Sequence, residues 1–395
     1  MAAVRLALVA RQLTLVRAPD MSEPRAEAHL RAAVLPALRA CLEGAAPLAV
    51  LPTGPSAVVD AACAALRIEE PVEPGADLVV VTSGSTGRSR AVLLSAAAVR
   101  ASSCAALDRL GGPGSWLLAL PASAMGGLQV LSRSVLTGRA LAVLERGERL
   151  ADALGRLPDG ERRYTSLVPT QLRRFLDTEP DALRAFDAVL VGGAATDPEL
   201  LSRARGAGVA VTTTYGMTET AGGCVYDGLP LDGVRVRADD RGVLLAGPVL
   251  ALGYRLDPAA TAAAFRDGWF ATRDAGSLDG DGRLTVSGRL DEVVITGGVN
   301  VAPAAVEAVL REHPDVDDAV VFGRPDDEWG RRVVAAVVPS ADASPDLTVL
   351  RAWVTDRLGA PAAPRELHTI AVVPALHTGK PDRRAVAAAV IEGAR

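Results

Sequence analysis

The run Asp77-Leu78-Val79-Val80-Val81 leads directly into Thr82-Ser83-Gly84-Ser85-Thr86-Gly87-Arg88-Ser89-Arg90. The first half reads as a short buried strand and the second as a loop of small residues at its end. Glycines let a backbone curl closely around an anion, and the Ser and Thr hydroxyls add donors. Arg90 can balance phosphate charge. The loop is not a Walker A sequence, because GxxxxGK[ST] is absent. Phosphate contact is therefore read for residues Thr82, Ser83, Gly84, Ser85, Thr86 and Gly87, against the plainer alternative of a polar surface loop.

The same pattern recurs outward from this stretch. Residues 116–120 precede Pro121, residues 188–191 precede Gly192-Gly193, and residues 209–213 precede Tyr215-Gly216. Between these candidate strands lie helical stretches at 95–110, 127–137, 170–176 and 197–206, with two more upstream at 25–43 and 56–67. Alternating strand and helix predict an α/β fold with a largely parallel sheet. From 234 to 286 short β-like runs alternate with turns, which predicts a β-rich subdomain. Beyond 291 the pattern becomes α+β: helices over 303–312 and 346–358, strands over 319–322 and 333–338. The expected division is a large N-terminal domain, 1–290, and a small C-terminal domain, 291–395.

Composition sets the outer limits. With 395 residues, 49% hydrophobic and 23% charged, the chain can bury a large core in two or three domains. A net charge of −5 gives no reason to expect nucleic acid or an anionic membrane as partner. The four cysteines lack a CxxC spacing and histidines number four, so neither a zinc site nor a disulfide framework is expected. No stretch reaches the roughly 20 apolar residues of a membrane helix, and Arg5 and Arg11 interrupt the apolar N-terminus. A soluble, cytoplasmic protein is expected. Among 42 basic residues, Lys380 is the sole lysine. Lysine is a compact charge on a flexible stem and arginine a planar fork, so a lone lysine is a candidate for chemistry that arginine cannot do.

Four further stretches carry candidate chemistry. In Thr212-Thr213-Thr214-Tyr215-Gly216-Met217-Thr218-Glu219-Thr220, Tyr215 can lie against a flat ring, with Gly216 allowing close approach. There Thr218 can donate to phosphate, and Glu219 offers a hard oxygen to Mg²⁺. In the stretch from Gly268 to Gly276, Asp274 can accept both hydroxyls of a ribose, although a lone aspartate is more often an exposed turn residue. Gly288-Arg289-Leu290-Asp291-Glu292 and Leu376-His377-Thr378-Gly379-Lys380-Pro381-Asp382-Arg383-Arg384 complete the set. The pair Arg383-Arg384 reads as solvated charge, His377 as a loop residue, and Trp116 and Trp353 as core.

Taken in order, these stretches resemble the adenylate-forming superfamily of acyl-CoA synthetases, luciferases and peptide-synthetase adenylation domains. The resemblance runs from Thr82 to Lys380. It implies a large adenylation domain and a small mobile C-terminal domain, joined by a hinge at Asp291. It also implies a site for ATP, Mg²⁺ and a carboxylic acid. Thr82 to Gly87 would hold the β- and γ-phosphates. Gly192, Gly193 and Ala194, with Tyr215, Gly216 and Met217, would frame the adenine. Thr218 would touch the α-phosphate and Glu219 would bind Mg²⁺. Asp274 would grip the ribose with Arg289 beside it, and Lys380 would bridge the substrate carboxylate and the α-phosphate.

Residues 166–172 and 222–233 narrow the resemblance to the o-succinylbenzoate–CoA ligase branch, in menaquinone biosynthesis, with coenzyme A as cosubstrate. Another aryl or alkyl acid, a carrier-protein thiol as acceptor, and a nucleotide-binding regulator stay open, as does a homodimer. The chain departs from the pattern in having Arg90 for the usual lysine, Ala91 for glycine, and Ala124 and Ala96 for histidines.

Overall fold

The computed structural model describes residues 11–21, 25–83, 89–341, 343–374 and 382–393. The chain gathers into two compact units. One comprises Met1–Gly193, Leu201–Arg235 and Leu245–Phe270, the other Ala194–Leu200, Val236–Leu244 and Ala271–Arg395.

The strands of the first part of the chain are β1 (Thr14–Arg17), β2 (Leu48–Leu51), β3 (Leu78–Ser83), β4 (Ser89–Leu94), β5 (Ser115–Leu118), β6 (Leu141–Val143), β7 (Arg163–Leu167), β8 (Ala188–Val191), β9 (Val211–Met217), β10 (Gly222–Tyr226) and β11 (Leu229–Pro230). The last seven form one sheet in the order β11-β10-β9-β8-β7-β5-β6. Neighbours from β9 to β6 run parallel, as the alternating pattern predicts. β10 and β11 add an antiparallel edge. The reason is local: the short turn from Thr218 to Ala221 allows only a reversal, since a parallel crossover needs a dozen residues or more.

Strands β5, β6 and β8 are buried throughout. Helices on both faces of a parallel sheet demand such continuous apolar runs. The helix Ala96–Arg109 begins at Ser95, whose Oγ accepts from the Ala98 N–H at 3.1 Å. The helix Met125–Thr137 ends at Gly138, which turns left-handed with φ 66°. Trp116 is fully buried with its ring centroid 5.1 Å from that of Tyr164. Burial of one such side chain contributes about 1.5–3 kcal/mol.

Further along come β12 (Arg235–Asp239), β13 (Gly242–Ala246), β14 (Gly253–Tyr254), β15 (Phe265–Arg266) and β16 (Trp269–Ala271). A second sheet has the order β1-β2-β3-β4-β14. β1, β2 and β3 are parallel, β4 returns antiparallel to β3, and β14 pairs antiparallel with β4. Two residues make a weak strand, and the next residue anchors it. The fully buried Arg255 side chain donates to the carbonyls of Leu66, Arg67, Glu70 and Pro71 and to the Glu73 carboxylate.

In the second unit, β17 (Asp274–Leu278) and β18 (Leu284–Arg289) form an antiparallel pair. β19 (Val294–Thr296), β20 (Val299–Val301), β21 (Val316–Asp326), β22 (Gly330–Pro339) and β23 (Glu366–Thr369) form a sheet around β22. Successive side chains of a strand point to opposite faces. Ala319 and Val321 accordingly pack with Val306, Leu310, Leu350 and Val354 from the helices Pro303–Arg311 and Leu347–Leu358. Val320 packs with Val386 and Val390 of the helix Arg383–Gly393. The expected α+β pattern beyond 291 is present. Among the described residues no helix is long and apolar enough to cross a membrane.

Candidate active site

The first cluster of predicted residues belongs to the first unit. The β3–β4 hairpin sets Thr82 opposite Arg90 and Ser83 opposite Ser89. Gly84, Ser85, Thr86 and Gly87 lie outside the described residues, as do His377 and Lys380. The Arg90 guanidinium stands 5.3 Å from the centre of the Tyr254 ring, within cation–π range.

β9 carries Tyr215, Gly216 and Met217 to the turn at its end. Gly216 has a reason beyond any ligand: a Cβ there would stand 2.2 Å from the Gly222 carbonyl oxygen of β10. Gly192 is equally constrained, since a Cβ would stand 2.2 Å from Thr214 Oγ1. Gly193 follows with φ +84°, and Ala194 continues the bend.

The residues Thr218–Thr220 form a single 3₁₀ turn. Thr220 holds it shut: its Oγ1 accepts from the Met217 N–H at 3.0 Å and lies 2.8 Å from the Gly222 oxygen, to which it can donate. Ala221 then takes φ 50°, a left-handed conformation rare for alanine. Its carbonyl accepts from Ser102 Oγ at 2.9 Å and from Gln129 Nε2 at 2.6 Å, and Ser103 Oγ donates to Gln129 Oε1 at 2.8 Å. Ser102, Ser103 and Gln129 are all buried. Two helices thus hold the turn from beneath.

The turn leaves Thr218 buried and Glu219 half-buried. The Glu219 backbone carbonyl accepts from the Ala251 N–H at 2.8 Å. Its Oε1 accepts from the Tyr254 hydroxyl at 2.9 Å. Among the described residues Glu219 forms no ion pair. Burial, reinforced by the Glu219 charge and the hydrogen bond to it, pushes the Tyr254 phenol well above its ordinary value despite Arg90 nearby. Tyr254 is therefore a neutral donor at any working pH.

The second cluster belongs to the second unit. Asp274 is not an exposed turn residue: it opens β17, pairs with Arg289 in register and is 7% exposed. Its carboxylate receives Arg289 Nη1 at 3.4 Å. The remaining face of the Arg289 fork grips Asp291 through Nε and Nη2, both at 3.0 Å, and Arg273 reaches Asp291 at 3.2 Å. Arg383, read from the sequence as solvated charge, is instead half-buried and ion-paired. It binds Glu307, whose side chain is 4% exposed, and lies 3.3 Å from Glu292. The helix Pro303–Arg311 brings Glu307 there, which residue spacing alone could not reveal.

Nothing in the sequence singles out Tyr254 or Gln129. For Ser102 and Ser103 the signal is a serine pair inside the Ala-rich helix 96–109, because buried hydroxyls need partners.

The pattern of the AMP-binding enzyme family matches residues 9–252, and that of the AMP-binding enzyme C-terminal domain matches 305–380. The chain belongs to the AMP-binding enzyme family. Among members of this family, a Mycobacterium tuberculosis protein named a probable 2-succinylbenzoate–CoA ligase is 47% identical over 368 residues, covering 90% of this chain and 94% of its own. A 2-succinylbenzoate–CoA ligase of Geobacillus kaustophilus is 34% identical over 75% of this chain and 66% of its own. The o-succinylbenzoate CoA synthetase of Bacillus subtilis, solved with the acyl-adenylate intermediate OSB-AMP, superposes with a TM-score of 0.78. It is 23% identical and covers 95% of this chain and 88% of that one. The shared fold of the AMP-binding enzymes thus extends over nearly the whole chain.

Proposed function

We propose that the protein is an AMP-forming acid–CoA ligase. It converts o-succinylbenzoate, ATP and coenzyme A to o-succinylbenzoyl-CoA, AMP and pyrophosphate, in the cytoplasm, as a step of menaquinone biosynthesis. The observation that carries this reading is the 47% identity, over nearly full length, to a relative of that name.

In the first half-reaction an oxygen of the acid's carboxylate forms a bond to the α-phosphorus of ATP, and the bond to pyrophosphate breaks. The carboxylate is already a nucleophile, so no general base is required. Two anions must approach, and the residues serve that need. Lys380 bridges the carboxylate and the α-phosphate. Thr218 donates to the α-phosphate, and Arg90 with the loop Thr82–Gly87 holds the departing phosphates. Gly192, Gly193, Ala194, Tyr215, Gly216 and Met217 frame the adenine, and Asp274 with Arg289 holds the ribose.

Glu219 fits a magnesium ligand. It offers a hard oxygen, and no cation among the described residues neutralises it. Mg²⁺ takes one or two carboxylates beside substrate phosphates and keeps several waters. When bound, the ion would screen phosphate charge as the acid approaches. In the second half-reaction the thiol of coenzyme A attacks the acyl carbon and AMP leaves. A domain boundary at 290/291 with a hinge at Asp291 lets Lys380 withdraw between the two halves.

The test is pyrophosphate release with ATP and Mg²⁺ across a panel of acids, with and without coenzyme A. Release with o-succinylbenzoate, and a CoA thioester once coenzyme A is added, is the expected result. Release with a different acid only would discard the substrate assignment. No release with any acid would discard the ligase reading.

A further inference from the structure

We propose that Tyr254 is a positioning residue for adenylation. Its hydroxyl holds one oxygen of the Glu219 carboxylate and so presents the other to the divalent cation. The proposal rests on the reading of Glu219 as the metal ligand.

Three observations place Tyr254 in this part. The hydroxyl lies 2.9 Å from Glu219 Oε1. A phenol hydroxyl is an uncharged donor, so it fixes the carboxylate without cancelling its charge. It also stands beside Arg90, a cation that could cancel that charge. Tyr254 pairs with Val92, which puts it on the same strand face as Arg90, two residues away, and the Arg90 guanidinium packs 5.3 Å from the ring centre. Arg90 and Glu219 form no direct ion pair among the described residues. A carboxylate paired with arginine would be a poor partner for a metal ion.

The hydroxyl is placed independently of Glu219. The strand β14 is locked on β4, and the following residue donates its N–H to the Ala91 carbonyl at 2.8 Å. The buried Arg255 side chain holds the segment from the other side. The Tyr254 ring meets Phe265 edge-on at 5.9 Å. The turn that carries Glu219 is held separately, by the Ser102 and Gln129 bonds to the Ala221 carbonyl. With donor and acceptor fixed by different parts of the unit, the contact between them is preorganised.

The substitution Tyr254→Phe keeps the ring packing and removes only the hydroxyl. The experiment is a titration of Mn²⁺ by electron paramagnetic resonance, on the full chain saturated with α,β-methylene-ATP. Metal-free AMP binding and thermal unfolding serve as controls. A hydrogen bond to a charged group is worth about a tenfold change in affinity or more. The Mn²⁺ dissociation constant of Tyr254→Phe should therefore rise about tenfold or more, with AMP affinity unchanged. In steady-state assays the requirement for Mg²⁺ should rise in parallel, and turnover should recover at saturating metal. Glu219→Gln separates the two readings. If Glu219→Gln weakens Mn²⁺ binding and Tyr254→Phe does not, Tyr254 has no positioning role. If neither substitution moves it, Glu219 is not the ligand, and the role of Tyr254 falls with it.

Discussion

Glu219 and Asp274 are both carboxylates on short, well-fixed pieces of backbone, and they are compensated in opposite ways. Glu219, in the first unit, accepts from a neutral phenol, and no cation among the described residues pairs with it. Asp274, in the second unit, faces Arg289, which also grips Asp291. A carboxylate left with its charge attracts a cation. One already facing an arginine keeps hydrogen-bonding capacity for neutral donors such as ribose hydroxyls but has little to offer a metal. Glu219 is thus suited to a cation and Asp274 to neutral donors.

Paired substitutions sharpen this contrast. Glu219→Gln should lower the rate of acyl-adenylate formation about 100- to 1,000-fold, as loss of transition-state electrostatic stabilisation does. Raising Mg²⁺ should not restore it. Asp274→Asn should weaken ATP binding about 10- to 100-fold, the worth of charge-assisted hydrogen bonds, and should leave the metal requirement unchanged. Equal metal dependence in the two variants, measured by pyrophosphate release against Mg²⁺, would erase the distinction.

A smaller effect concerns the support beneath Glu219. Gln129→Leu removes one of the two side-chain donors to the Ala221 carbonyl and leaves Ser103 without its acceptor. Unsatisfied buried groups cost about 1–3 kcal/mol each. The unfolding midpoint in urea should fall accordingly, and the metal requirement should rise slightly because the turn loosens.

The smallest effect comes from a third acid, Glu366, which is fully compensated: Arg324 at 2.7 Å, Arg332 at 3.0 Å and His368 at 2.8 Å. Burial would raise its pKa, but the hydrogen bond from His368 and the charges of Arg332 and Arg324 outweigh it and hold the carboxyl below its ordinary value. A depressed folded value means stability that is present above the unfolded pKa and lost as pH falls through the folded one. Glu366→Gln should be less stable at neutral pH. It should also lose less stability than the unsubstituted chain between about pH 5 and pH 3, measured by urea unfolding at each pH.

Much of this arrangement is legible in the sequence, and the illegible parts share a cause. The strands β3, β5, β8 and β9 follow from apolar runs ending in small residues, because local pattern and burial agree there, whereas β7, Arg163-Tyr164-Thr165-Ser166-Leu167, is no such run. Glu219 and Asp274 are visible as residue types at strand ends. Their compensation is not visible. Tyr254 meets Glu219 through a strand of two residues, too short to leave a periodic signal, whose position depends on pairing with β4. Arg383 meets Glu307 across 76 residues. Lys380 stands out by its solitude among arginines, and it lies outside the described residues.

The placement of β14 has a consequence for synthesis. β4 is an interior strand of its sheet in the finished protein, yet its outer neighbour is made only after the whole seven-stranded sheet has been translated. Until the ribosome passes Tyr254 and Arg255, β4 is an edge strand with free hydrogen-bonding groups, the kind of edge that recruits other chains. Arg255 then closes the sheet by bonding to a carbonyl 189 residues earlier. Nascent chains stalled before this point should be the ones that chaperones hold and that aggregate when released.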